Sequence, residues 1–213
     1  LLNSLYGAMG NRYFRFFDQR IAEAITLTGQ LTIRWGEVAL NKALNRILKT
    51  EGKDYVIAID TDSLYVNLAP LVEKLNPENN IDFLNKVCKE LEKHLQKAYE
   101  ELFNIMGGTI NKMVMSREVI ADKGIWTAKK RYILNVYDNE GVRYAAPKLK
   151  IMGIEAIKSS TPEPCRDALK RLFKIIVAGN QEDVQKAIRQ FREYFRSLEA
   201  EDIATPRGIT KIR

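Results

Sequence analysis

Asp60-Thr61-Asp62 joins two short apolar runs, residues 55–59 and 63–67, and a link this short leaves only a tight β-hairpin. Residues i and i+2 of a strand point to the same side, with Cα atoms roughly 6.6 Å apart. Two carboxylates that close repel each other and resist burial. A divalent cation resolves the conflict, and an all-oxygen donor pair suits Mg²⁺, which takes one or two carboxylates together with substrate phosphates. A plain turn is the competing reading, because Asp and Thr favour turns. The apolar flanks, Ala58-Ile59 before and Leu64-Tyr65-Val66 after, bring the two readings to parity.

The rest of the chain arranges itself around that hairpin. Residues 1–10 read as the tail of a helix entering a turn at Gly10-Asn11, followed by the aromatic cluster Tyr13, Phe14, Phe16 and Phe17. Asp18 is placed to cap a long helix. Ile21, Ala24, Ile25, Thr28, Leu31, Trp35 and Val38 recur at helical spacing, and Ala43, Leu44 and Ile47 continue the pattern towards Gly52. Thirty such residues make a rod of about 45 Å. Pro70 and Pro77 signal loops. Leu84, Val87, Cys88, Leu91, Leu95, Ala98, Tyr99 and Leu102 then form one stripe of an amphipathic helix, ended by Gly107-Gly108.

From Lys112 to Lys150 the pattern becomes strand-like, with candidates at 113–115, 119–120, 132–137 and 142–145. Asp138-Asn139-Glu140-Gly141 is a hairpin turn signal. Thr161, with Pro162 at the first helical position, opens a helical pair that breaks at Gly179. The order predicts an α+β protein in which helices pack on one face of an antiparallel sheet.

Charge and composition narrow the function classes. The chain carries 34 basic and 27 acidic residues, a net charge of +7, which favours a polyanionic partner without demanding one. No apolar run reaches the ~20 residues of a membrane span, and no secretory signal is present. Cys88 and Cys165 have neither metal-ligand nor disulfide spacing, which fits a reducing compartment. His94, among Lys93, Gln96 and Lys97, reads as a solvated helix position.

Three further features have site character. Asn3-Ser4-Leu5-Tyr6-Gly7 alone is a helix ending at a glycine. Lys129-Lys130-Arg131-Tyr132 places three cations before an aromatic ring, suited either to phosphates and a sugar or base, or to open solvent. Glu118 is either a third acidic group near the hairpin or an ordinary partner for Arg117.

Taken in order, these segments resemble family B DNA polymerases, with the nearest likeness to replicative enzymes of T-even-like tailed bacteriophages. Asn3-Ser4-Leu5-Tyr6-Gly7 resembles the fingers motif, Asp60-Thr61-Asp62-Ser63 the palm motif Tyr-Gly-Asp-Thr-Asp-Ser, and Lys129-Lys130-Arg131-Tyr132 the primer-gripping motif. Ser116-Arg117-Glu118 and Pro147-Lys148-Leu149-Lys150-Ile151-Met152-Gly153 also match the phage pattern.

The resemblance implies an end of fingers at 1–17, a palm at 18–160 and the start of a helical thumb at 161–213. It implies that Asp62 holds two Mg²⁺ ions, replaceable by Mn²⁺. Asp60 and Glu118 would lie close by. Asn3 and Tyr6 would meet the incoming deoxynucleoside triphosphate, and Lys129, Lys130, Arg131 and Tyr132 the primer–template DNA. A bacterial host cytoplasm is the implied setting, with a sliding clamp as a partner of the larger enzyme.

The departures shape a second set of expectations. Ala58-Ile59 stands where the family has Tyr-Gly. The fingers lysine and an earlier palm aspartate fall before Leu1, and residues 207–213 stop short of a full thumb. The chain is therefore expected to need a missing N-terminal segment or subunit and to be inactive alone. The alternatives are the C-terminal-side subunit of a split polymerase, a non-catalytic nucleic-acid binding module, and a cyclase-type enzyme with a palm-like fold.

Overall fold

The computed structural model describes residues 2–205, with side chains from Ser4 onward. It divides into two compact units that meet in sequence between Arg117 and Glu118.

The first unit is a helical pair carrying a hairpin. Helix α1 (Leu2–Met9) precedes α2 (Gln19–Leu48). Asp18 caps α2 as expected, its carboxylate accepting the Arg20 N–H at 2.9 Å. Lys49, in the left-handed region at φ 58°, ends the helix three residues before Gly52. Strands β1 (Val56–Asp60) and β2 (Ser63–Val66) form the hairpin, followed by α3 (Ala69–Leu75) and α4 (Asn80–Ile105).

Helix α3 corrects the reading of Pro70 as a loop signal. Proline in a first helical turn gives up an N–H that has no partner there in any case. The buried stripe of α4, Leu95, Ala98, Tyr99 and Leu102, agrees with its expected face. On α2 the buried positions are Ile33, Gly36, Leu40, Ala43 and Leu44, while Ile21, Ile25, Leu31 and Val38 are exposed. The apolar residues of α2 thus occupy more than one face: the periodic series meets the core at Trp35, Ala43 and Leu44 but not at Ile21, Ile25, Leu31 and Val38.

The core of this unit gathers Leu40, Val56, Leu95 and Tyr99, with Trp35, Ile59, Leu64, Met113 and Met115 packed on it. The Trp35 indole N–H donates to the Ala98 carbonyl at 2.9 Å, tying α2 to α4. His94 makes a 3.2 Å hydrogen bond with the Ala39 carbonyl and is half-buried. It braces the same pair, in place of the solvated role expected.

The second unit is a meander, β3 (Val119–Ala128), β4 (Arg131–Asn139) and β5 (Val142–Met152), antiparallel in the order β3-β4-β5. A 3-10 turn at Glu155–Ile157 leads to α5 (Glu163–Ala178), α6 (Gln181–Arg196) and α7 (Ala200–Ile203). Central strand β4 buries Tyr132, Ile133, Leu134, Val136 and Asp138. Ile133, Ile154 and Val177 form the core that seats α5, with Phe173 against it.

The Asp138–Gly141 turn signal is realised: Glu140 and Gly141 adopt φ of 51° and 86°, and the Asp138 carboxylate accepts the Gly141 N–H at 3.0 Å. Pro162, not Thr161, occupies the cap position of α5, and Gly179 ends that helix as expected. The α+β class holds, with the strands shared between a two-stranded and a three-stranded sheet. Residues 207–213, expected to stop short of a full thumb, lie outside the described residues.

Candidate functional site

The hairpin is fixed at its base by two asparagines of α2. Asn41 accepts the N–H groups of Tyr55 and Val56 on one oxygen, at 2.8 and 3.1 Å. One helical turn on, Asn45 donates to the Lys53 carbonyl at 2.7 Å and accepts the Lys53 N–H at 3.1 Å. Buried backbone groups need such partners, and here a helix face supplies them to the chain entering β1. Sequence reasoning missed both residues; the i, i+4 asparagine pair within an apolar helix was the available signal. At the far side of the base, the Asn67 N–H donates to the Tyr55 carbonyl at 2.7 Å.

Above this base the register pairs Ala58 with Tyr65, Ile59 with Leu64 and Asp60 with Ser63. That leaves Thr61 and Asp62 as the loop. The Asp62 N–H donates to the Asp60 carbonyl at 2.7 Å, closing a three-residue γ-type turn around Thr61 at φ 55°. A β-branched residue at positive φ is sterically disfavoured, and strain of this kind clusters at functional sites. Asp60 therefore ends a strand while Asp62 sits in the turn, so strand alternation does not govern the pair. Asp62 is exposed and Asp60 half-buried. The Thr61 hydroxyl donates to Asp60 at 3.2 Å. Two carboxylates thus share a solvent-facing tip on a rigid base.

The remaining candidates are distributed as follows. Tyr6, on α1, is exposed and its hydroxyl lies 2.7 Å from the Thr26 hydroxyl. Thr26 in turn donates to the Ala22 carbonyl, so Tyr6 acts as donor and fastens α1 to α2. The side chain of Asn3 lies outside the described residues. Arg117 donates its side chain to Asn85 at 2.9 Å, and its backbone N–H to Glu92. Glu118 opens the second unit and is paired with Lys150 on β5. Among the described residues, no three His, Cys, Asp or Glu side chains gather as a metal-binding set.

Lys129 and Lys130 form the two-residue turn between β3 and β4, flanked by the Ala128–Arg131 pair, and both are exposed. Lys130 is left-handed at φ 61°. Arg131 meets Glu155 at 3.3 Å. Tyr132 departs from the expected open stacking surface. The residue is 7% exposed, and its ring packs beside Trp126, centroids 6.3 Å apart.

The fold and the site define an α+β protein with a carboxylate-tipped hairpin in one unit and a cationic β-turn in the other, groups suited to phosphate-bearing ligands and their metal ions. Comparison with known proteins gives that chemistry a lineage. The sequence pattern of DNA polymerase family B matches residues 1–207. The chain is 41% identical over 219 residues to the DNA-directed DNA polymerase of Enterobacteria phage T4, covering 96% of this chain and 24% of that protein. With the DNA-directed DNA polymerase of Escherichia phage RB69 it is 41% identical over 227 residues, covering 100% and 25%. DNA polymerase 1 of Pyrococcus abyssi is 23% identical over 194 residues, covering 91% and 21%. The chain belongs to DNA polymerase family B. It spans about a quarter of the length of the curated phage relatives it matches.

No helix among the described residues is long and apolar enough to cross a membrane.

Proposed function

We propose that this chain carries part of the active centre of a DNA-directed DNA polymerase, with Asp60 and Asp62 as its acidic residues. The observation that carries the reading is the Asp60–Thr61–Asp62 tip. It combines two carboxylates, solvent access at Asp62 and a strained turn on a base held by Asn41. A turn with no role beyond connection would be relieved by glycine at its centre.

The donor chemistry fits Mg²⁺. The side chains of the tip offer oxygen donors only, two carboxylates flanked by the Thr61 and Ser63 hydroxyls, and Mg²⁺ completes its shell with water and substrate phosphates. Asp62 would hold the ions and Asp60 would lie beside them, with Mn²⁺ as a substitute. When bound, the two ions supply charge neutralisation at the transferred phosphate and a lowered pKa for the attacking primer hydroxyl.

The protein's own residues do the positioning, which is most of catalysis in phosphoryl transfer. Asp60 and Asp62 concentrate negative charge at one point. Asn3 would contact the triphosphate, and Tyr6 would check the nascent base pair. Lys129 and Lys130 would hold phosphates of the primer–template duplex. Glu118, an acidic neighbour of the metal centre in this reading, is kept in place by Lys150. A bacterial host cytoplasm and a sliding clamp belong to the same proposal.

The test is a chimera in which these 213 residues replace the matching segment of the phage T4 enzyme. Template-directed primer extension with Mg²⁺ is expected, and Asp62→Asn should abolish it while leaving the thermal midpoint near that of the parent chimera. Full extension by the Asp62→Asn chimera would refute the assignment.

A further inference from the structure

Three residues beyond the Lys129-Lys130 turn bear directly on its shape. Gly153 follows β5 in the left-handed region, at φ 65°. A side chain built there would collide with the Lys130 carbonyl oxygen and press on the Arg131 side chain. Only glycine lets the end of β5 close against the turn. Two residues on, Glu155 meets Arg131 at 3.3 Å and Lys158 at 3.1 Å.

The 3-10 turn that carries Glu155 is anchored in the core on both sides: Ile154 is 8% exposed and Ala156 fully buried. Ile154 belongs to the same cluster as Ile133 of β4, two residues past Arg131. The clip and the turn are therefore parts of one packed body. The Glu155 carboxyl is held below the usual carboxylate range, first by its own backbone N–H and then by Lys158, with Arg131 adding to the effect. It stays ionised across the neutral range.

We propose that Gly153 and the Arg131–Glu155 pair are positioning elements that set the Lys129-Lys130 turn for phosphate contact, and that Arg131 itself is no phosphate ligand. The inference rests on the reading that the turn holds DNA. Both members of the pair are about half-exposed, and such ion pairs contribute little to stability. Its role is directional: Arg131 is drawn towards Glu155 in the 3-10 turn that follows β5, which leaves phosphate contact at the turn to the two lysines.

Salt dependence separates a phosphate ligand from a strut. Removing one phosphate ligand lowers the slope of log K against log salt by about 0.9 on duplex DNA. The experiment measures binding of the 213-residue chain to a fluorescent primer–template duplex across a NaCl series. Lys129→Gln and Lys130→Gln should each flatten the slope by about 0.9. Arg131→Gln should keep both the wild-type slope and the thermal midpoint, while weakening binding about fivefold, the upper end for an exposed pair. Gly153→Ala should likewise weaken binding without changing the slope.

The exchange Arg131→Glu with Glu155→Arg carries the test if Gly153→Ala fails to fold. It should bring affinity back to within about twofold of wild type, as coupled pairs do. A flattened slope for Arg131→Gln, or an exchange that stays as weak as Arg131→Glu alone, would overturn the inference and make Arg131 a direct phosphate ligand. Unchanged slopes for both lysine variants would instead sink the DNA-holding reading, and the positioning role with it.

Discussion

The hydroxyl of Tyr99 occupies the space that a side chain on Gly36 would need: a Cβ there would lie 2.6 Å from that oxygen and 3.2 Å from Leu64 of β2. Three elements meet at this point, α2 through Gly36, α4 through Tyr99 and the hairpin through Leu64. Tyr99 is 1% exposed, and burial pushes its hydroxyl pKa above the ordinary value, so it stays neutral.

Gly36→Ala should therefore destabilise the chain, against the gain that alanine brings to a helix interior. Propensity alone favours alanine by about 1 kcal/mol. Overpacking a buried contact costs roughly 1–3 kcal/mol, and a buried tyrosine has little room to retreat. A net loss of about 1 kcal/mol in urea denaturation is expected. The double variant with Tyr99→Phe, which removes the obstructing oxygen, should recover most of it. A more stable Gly36→Ala chain would show that the neighbours yield.

Thr61→Gly should have the opposite sign. Relief of positive-φ strain is worth about 1–3 kcal/mol, more than the roughly 0.5–1 kcal/mol of chain entropy that glycine costs. A gain of about 1 kcal/mol is expected, while Thr61→Ala, which keeps the strain, should change little. In the chimera, Thr61→Gly should slow primer extension by loosening the tip. Equal stability of the glycine and alanine variants would remove the strain argument.

The start of α2 gives a pH dependence. Arg20, hydrogen-bonded to the Asp18 carboxylate at 2.8 Å, is the main cause that lowers the Asp18 pKa from 3.8 to about 2. In the unfolded chain the group protonates near 3.8, before it does so in the folded one. Its contribution is therefore present above that pH and lost as pH falls from about 4 towards 2. Amide exchange at residues 20–22 should accelerate over that window in the wild type, and show no such step in Asp18→Asn, which keeps a capping oxygen. An identical step in both proteins would assign it to another group.

Much of the first unit was legible because its signals are local. Asp18 before a helical period, the stripe from Leu91 to Leu102 and the short link Asp60-Thr61-Asp62 between two apolar runs each act over a few positions. Residues 113–115 misled for an equally local reason. Met113 and Met115 are half-buried and Val114 is exposed, an alternation that imitates a strand, although the segment joins no ladder.

The site was legible as a set of residues more than as a geometry. Which sheet a strand joins, that Tyr132 is buried beside Trp126, and that Arg131 meets Glu155 depend on pairings dozens of positions apart or on side-chain packing. Neither leaves a periodic trace.

The central claim is that the tip of the hairpin gathers a divalent cation on Asp62. Paramagnetic broadening of backbone amide signals in the 213-residue chain, titrated with Mn²⁺, reads it most directly. Selective loss of the Asp60–Ser63 signals, absent in Asp62→Asn, is the predicted result. Broadening spread evenly over surface carboxylates, and identical in the variant, would contradict it.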